Sequence, residues 1–392
     1  MDPVRNPFAP GAGTRPPELA GRDDLVERAE IALDRIALGR PARSFILYGL
    51  RGVGKTVLLG RIRGDAEARG LQAVRIEAPE DRSLPAILAA PLRAMLLKLD
   101  RMESAKSGAR RALAALASFA RLKLRYSDIE VSLDFDPLPG VADSGDLEVD
   151  LSELLLAVGE AAKERNTAVI LCIDELQYVR ETEMGALISA LHAVAQAALP
   201  VTMVGAGLPQ LLGRMGRAKS YSERLFEYVE VARLDNGAAR NAIMLPIERE
   251  EEQIETAAVD AIIRETQGYP YFLQEFGKHA WDLAFCSPIT AQDVENATVT
   301  AVAELDASFF RVRFDRLTPT EKRYVRAMAE LGPGPHRSGD IADMLGKQVT
   351  QLAPIRNSLI RKGMLYSPAH GDTAFTVPMF DAFMKRIMPA WP

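Results

Sequence analysis

Cysteine is almost missing from this chain. Cys172 and Cys286 are the only two in 392 residues. Two thiols build no disulfide framework, so nothing here depends on an oxidising compartment, and a reducing cytoplasm suits the chain. Histidine is as scarce: His192, His279, His336 and His370 show no metal-ligand spacing with one another or with cysteine, and read as structural or surface residues. Aromatics make up 6% of the chain. The first residues, Met-Asp-Pro-Val-Arg-Asn-Pro, lack the apolar run of a signal peptide. Residues 184–213 carry no charge, but Pro200 divides them and His192, Gln196 and Gln210 interrupt them. They read as a helix followed by a core strand, with no membrane partner. Low complexity and internal repeats are also absent. What remains is a globular composition, 48% hydrophobic and 26% charged, long enough for two or three domains.

Against that background one segment stands out. Gly49-Leu50-Arg51-Gly52-Val53-Gly54-Lys55-Thr56 fits the phosphate-binding loop pattern. It follows the apolar run 44–48, which reads as a buried strand, and precedes 57–63, which has helical apolar spacing. Glycines let the backbone curl so that several N–H groups face one anion, and the following helix adds its positive end. Gly49, Arg51, Gly52, Val53, Gly54, Lys55, Thr56 and Val57 are therefore candidate nucleotide contacts. Lys55 should reach the β- and γ-phosphates of ATP or ADP, and the Thr56 hydroxyl should ligate Mg²⁺.

A second segment agrees. Residues 169–173 are apolar throughout and end in Asp174-Glu175. A strand buried on both faces reads this way, and ligands gather at the carboxyl ends of such strands in open α/β sheets. Asp174 can hold Mg²⁺ opposite Thr56, and Glu175 can orient or deprotonate the attacking water. Two carboxylates here could also simply cap the next helix.

The remaining pattern gives the organisation. Residues 1–20, with five prolines and two glycines, form an irregular tail over the core. Residues 21–235 form a doubly wound parallel sheet with strands at 44–48, 72–77, 169–173, 201–205 and 228–231. An insertion occupies about 100–150. It holds a basic, alanine-rich helix at 105–124 and an alternating strand at 127–135; before it, Pro91 should kink or restart the helix at 84–99. Residues 236–304 read as a helical lid. Residues 305–392 read as three helices and a two-stranded ribbon, a winged helix-turn-helix. Pro354 suggests that the third helix starts near it.

Net charge is −5, unevenly placed. From Arg311 to Pro392 there are 13 Lys+Arg against 7 Asp+Glu, a net of +6; the rest has 35 against 46, a net of −11. A basic terminal module on an acidic body confines any polyanion contact to that end. Lys347, Gln348, Thr350 and Gln351 at the start of the third helix, with Arg356 and Arg361 along it, suit base edges and phosphates of double-stranded DNA. Winged helices also dock proteins, and both uses stand.

The chain resembles AAA+ ATPases of the origin-recognition initiator branch and the neighbouring STAND ATPases, from about Pro17 to the end. The resemblance rests on Glu18-Leu19-Ala20-Gly21-Arg22, the phosphate loop, the Asp174-Glu175 strand, Gly268-Tyr269-Pro270 and the terminal module. It implies that Leu19, Gly21 and Arg22 lie near the adenine. It implies a polar sensor on the fourth strand, where Thr202 is the nearest candidate, unless Thr202 is only a β-branched strand residue. It implies an arginine finger at Arg224 acting in trans within a homo-oligomer, unless that Arg pairs with Glu223 or Glu227. The lid has Gly268-Tyr269-Pro270-Tyr271 where many AAA+ lids carry the second-sensor arginine. By resemblance to STAND ATPases, Pro270 and Tyr271 would pack on the base. A slow nucleotide switch suits that departure.

Three functions remain: a DNA-associated ATPase, a STAND-like signalling or defence ATPase that engages protein, and a small-molecule kinase or GTPase. The last lacks an acceptor pocket and an Asn-Lys-x-Asp motif.

Overall fold

Five short segments, apolar at most of their buried positions, form five parallel strands. Ser44–Tyr48 (β1), Gln72–Glu77 (β2), Val169–Asp174 (β3), Val201–Gly207 (β4) and Phe226–Glu230 (β5) pair in the order β2-β3-β4-β1-β5. The computed structural model describes residues 1–11, 13–101, 108–123 and 136–390. Registers align the carboxyl ends. Tyr48 lies opposite both Gly207 and Glu230, and Glu77 opposite Asp174.

The helices of this unit are α1 (Asp23–Ala37), α2 (Lys55–Ala68), α3 (Leu84–Arg101), α4 (Gly108–Lys123), α5 (Leu147–Glu164), α6 (Glu181–Gln196), α7 (Leu211–Ala218) and α8 (Ser222–Leu225). One apolar core joins the sheet to α3, α4, α5 and α6. The Asp146 carboxylate starts α5 by accepting the Glu148 and Val149 N–H groups at 2.8 and 3.1 Å. The uncharged stretch resolves into most of α6 and all of β4, and among the described residues no helix is long and apolar enough to cross a membrane. In the basic helix α4, Ala112, Leu113, Leu116 and Phe119 are buried, while Arg110 and Arg111 pair with Asp100 and Glu160. The alternating segment 127–135 lies outside the described residues. Pro91 neither stops nor restarts α3, which runs through it.

Residues 1–23, the loop 49–54 and residues 231–392 form the other compact unit. Four helices open its main segment: α9 (Asn236–Arg249), α10 (Thr256–Thr266), α11 (Pro270–Leu283) and α12 (Ala291–Leu305). A π-helical turn, Asp306–Phe310, leads from α12 into α13 (Arg311–Asp315). The tail is fastened on α11: Phe8 rests on Gly277, and Trp281 Nε1 donates to the Asp2 carbonyl at 2.8 Å.

The last part holds α14 (Pro319–Leu331), β6 (His336–Arg337), α15 (Ser338–Met344), α16 (Val349–Arg361), β7 (Leu365–Tyr366), β8 (Asp372–Phe375) and α17 (Phe380–Ile387). Its sheet is antiparallel in the order β6-β8-β7, so a third strand joins the expected ribbon. Helix α16 begins at Val349, five residues before Pro354. That proline is exposed and forfeits one hydrogen bond in the helix, a loss the remaining turns absorb. Much of the scarce aromatic content gathers here. Phe310 stacks on Phe383 at 5.2 Å and meets Phe380 at 6.0 Å.

Candidate functional site

Strand β1 delivers the chain to Gly49, where only glycine fits: a β-carbon there would lie 2.1 Å from the Val231 carbonyl oxygen. Gly52 and Gly54 follow with φ of +79° and +94°, the left-handed region that side chains rarely enter. The sequence between them therefore can curl as an anion cradle must. The loop is held from outside as well. The Arg51 N–H donates to the Thr376 carbonyl at 2.9 Å, and the Tyr271 N–H donates to the Gly52 carbonyl at 3.1 Å. Arg22 donates to the carbonyls of Val53 and Ala232. Burial lowers the guanidinium pKa of Arg22, an effect Asp235 opposes. Gly21 packs on Ala238, and Leu19 is half-buried.

Lys55 and Thr56 then open α2, with Val57 behind them. Thr56 Oγ1 donates to Asp174 Oδ2 at 2.7 Å, so the last residue of β3 and the first turn of α2 meet. Both offer hard oxygen atoms, the donor chemistry that suits Mg²⁺. Burial pushes the Asp174 carboxyl above its usual range, and the bonds from Thr56 and from the Glu175 N–H work against that shift.

Glu175 sits in the left-handed region at φ +53° without being glycine. A side chain held there is backbone strain, which gathers at functional sites. Its carboxylate accepts from Gln177 Nε2, and Gln177 Oε1 accepts the Leu208 N–H at 3.0 Å. Gln177 is buried, so it links Glu175 to the residue just past β4. Sequence reading missed Gln177. Its only signal was position, two residues after the acidic pair.

Other expected residues are placed as follows. Thr202 is the second residue of β4, and its hydroxyl lies 3.2 Å from that of Ser44, the first residue of β1. That is the amino end of the sheet, whereas the phosphate loop leaves the carboxyl end of β1. Thr202 is thus a buried strand residue and not a sensor, a correction to the sequence expectation. Arg224 is exposed on α8 and makes no ion pair among the described residues; Glu227, one expected partner, pairs with Arg28. Pro270 is the first residue of α11. The Tyr271 ring stacks on Phe309 at 4.8 Å, so one of its faces is already covered.

In the C-terminal part, Lys347, Gln348, Thr350, Gln351 and Arg361 are exposed. Arg356 is half-buried and committed to the module's own sheet. Its guanidinium donates to Thr373 Oγ1, Ser367 Oγ and the Asp372 carbonyl at 2.7–2.9 Å, fastening α16 to the sheet. Sequence alone could not separate an arginine facing outward from one turned inward on the same helix.

Comparison with known proteins agrees with this geometry. Residues 18–204 match the AAA ATPase domain family. That segment, which holds the phosphate loop, β3 and the first half of β4, is similar to AAA ATPase domains. Residues 307–384 match a second family, described as a domain of unknown function (DUF8462). No curated protein matches the sequence. Among solved structures, the Walker-type ATPase PABY2304 of Pyrococcus abyssi is similar in fold, with a TM-score of 0.60 at 15% identity. The match covers 95% of this chain and 97% of that one. The Aeropyrum pernix ORC1 protein in complex with DNA gives 0.47 at 14% identity, over 95% and 94% of the two chains. The Thermotoga maritima RuvB Holliday junction branch migration motor gives 0.46 at 15%, over 93% and 96%. At those values neither bears on partners.

Proposed function

We propose that this chain is an ATP-binding switch that hydrolyses ATP slowly to ADP and phosphate. The observation that carries the reading is the 2.7 Å bond between Thr56 and Asp174, beside a loop with two left-handed glycines. Lys55 binds the β- and γ-phosphates, and Thr56 and Asp174 hold Mg²⁺. When bound, that ion neutralises charge on the phosphoryl oxygens. Glu175 takes the proton of the attacking water, and Gln177 fixes the direction of its carboxylate. Leu19, Gly21, Arg22, Pro270 and Tyr271 serve the adenine. The unpaired, exposed Arg224 completes a neighbouring subunit's site in a homo-oligomer. Replacing Glu175 by Gln should preserve nucleotide binding and abolish turnover; turnover at the wild-type rate would remove Glu175 from this role.

The C-terminal module acts as a winged helix that contacts double-stranded DNA through Lys347, Gln348, Thr350, Gln351 and Arg361. All five are exposed on or beside α16. Mobility of labelled duplex DNA, with and without ATP and across salt, tests this. Phosphate contacts require a steep fall of affinity with salt. A STAND-like protein-engaging role is the second reading. Arg356 and Lys362 are turned inward, while Val349 at the start of α16 is 45% exposed. Salt-independent or absent DNA binding in every nucleotide state favours that second role.

A further inference from the structure

Two helices place three ligand-type side chains against one another away from the phosphate loop. Glu275 and His279 lie one turn apart on α11, so they share a face. Glu304 reaches them from the last turn of α12. His279 Nε2 lies 3.1 Å from Glu304 Oε2 and 4.0 Å from Glu275 Oε2, and the three ligand atoms fall within 4.8 Å of one another.

The contacts do not satisfy each other. The side chains of Glu275 and His279 are 7% and 8% exposed. Yet Glu275 Oε2 and His279 Nε2, though buried, make no hydrogen bond among the described residues. Buried polar atoms normally find partners, and a buried carboxylate needs a balancing charge. A dication answers all three groups together. Tetrahedral coordination with bonds of about 2.0–2.1 Å sets ligand atoms about 3.3 Å apart; the His279–Glu304 pair is near that at 3.1 Å, and the Glu275–His279 pair at 4.0 Å would have to close on the ion.

We propose that Glu275, His279 and Glu304 form a binding site for one divalent d-block cation, with Zn²⁺ the best match. One imidazole and two carboxylates suit that ion. The Tyr271 hydroxyl donates to Glu275 Oε1 at 2.9 Å, the outer hydrogen bond that orients a metal-ligating carboxylate. The bound ion joins α11 to α12 just before the π-helical turn. Such turns interrupt α-helices frequently at functional sites.

The test is titration of the chelator-stripped full chain with ZnCl₂ in buffer saturated with Mg²⁺ and free of nucleotide. We expect one Zn²⁺ per chain, a rise in melting temperature, and a visible absorption band when Co²⁺ replaces zinc. Glu304→Gln, at a half-exposed position, should fold and weaken Zn²⁺ binding at least about tenfold. His279→Gln should remove binding, and Tyr271→Phe should weaken it by about 10- to 100-fold. Cys286→Ser should leave it unchanged and so rules out a surface thiol as the ligand. If the wild-type chain takes up no zinc, or if Glu304→Gln and His279→Gln bind it as the wild type does, the site is refuted. These readouts need no ATP, so failure of the nucleotide reading would not alter them.

Discussion

The Arg51 N–H donates to the carbonyl of Thr376 at 2.9 Å, joining the phosphate loop to the residue that follows β8. Loop N–H groups are what a phosphate would recruit, so on the proposed function nucleotide would compete with Thr376 for the conformation of one short segment. Hydrogen exchange should therefore change in both the 45–55 and 370–380 peptides when Mg-ATP is added. Mass spectrometry reads this directly. Unchanged exchange in both peptides would remove the coupling.

The bond between Thr56 and Asp174 gives a second expectation. Thr56→Val removes a charge-assisted hydrogen bond and, on the proposed function, a metal ligand together. A loss of about 1.5–3 kcal/mol corresponds to roughly 10- to 100-fold in Mg²⁺-dependent ATP affinity. Fluorescent-nucleotide titration at several Mg²⁺ concentrations measures it. The affinity in EDTA should differ little between the two proteins.

Gln177 should act through Glu175. Gln177→Leu keeps the volume near that of Gln and removes the amide that orients the carboxylate. ATP affinity should stay within a few-fold, while steady-state turnover falls. Glu175→Gln should fall further, by about 10²- to 10⁴-fold, as loss of a general base does. Equal binding with unequal turnover separates positioning from proton transfer.

Much of this was legible beforehand. β3 stood out because its apolar run is unbroken, and β1 and β2 match the expected bounds. The loop and the acidic pair were legible because their chemistry demands rare residue combinations. What escaped depended on where side chains turn. Arg356, expected to face phosphates, is tied to the sheet by three hydrogen bonds, and Thr202 sits at the amino end of its strand. Gln177 carries no motif. His279 showed no ligand spacing because Glu304 comes from the next helix, 25 positions on. α3 does not restart at Pro91, and Pro354 misled in α16, which starts five residues earlier because one missing hydrogen bond does not outweigh the packing of a helix face. β6 has two residues, too few to alternate visibly.

The two cysteines should behave oppositely. Cys172 lies in β3, fully buried, and burial pushes its thiol up to about 12. Cys286 is exposed. A thiol reagent at neutral pH should modify one sulfur in the native chain and two after denaturation. Because the folded value is raised, the Cys172 contribution to stability is complete below the unfolded thiol's pKa and is lost as pH rises past it. Rapid modification of both thiols in native buffer would contradict the placement of β3.

Glu321 ties the C-terminal module together. Burial alone would raise its pKa, but Lys362, the Thr318 N–H and Ser358 hold it below the usual carboxylate range. A depressed folded value stabilises above the unfolded pKa and fades as pH falls through the folded one. Glu321→Gln should therefore lower the melting temperature at neutral pH, with the gap closing in acid. A gap independent of pH would mean that packing, not charge, sets the effect.

The measurement closest to the centre of this account is equilibrium titration with ATP and ADP in Mg²⁺, run on the wild-type chain and on Lys55→Ala. Saturable binding in the first and its loss in the second is the predicted result. No affinity for either nucleotide, or equal affinity in both proteins, would contradict it.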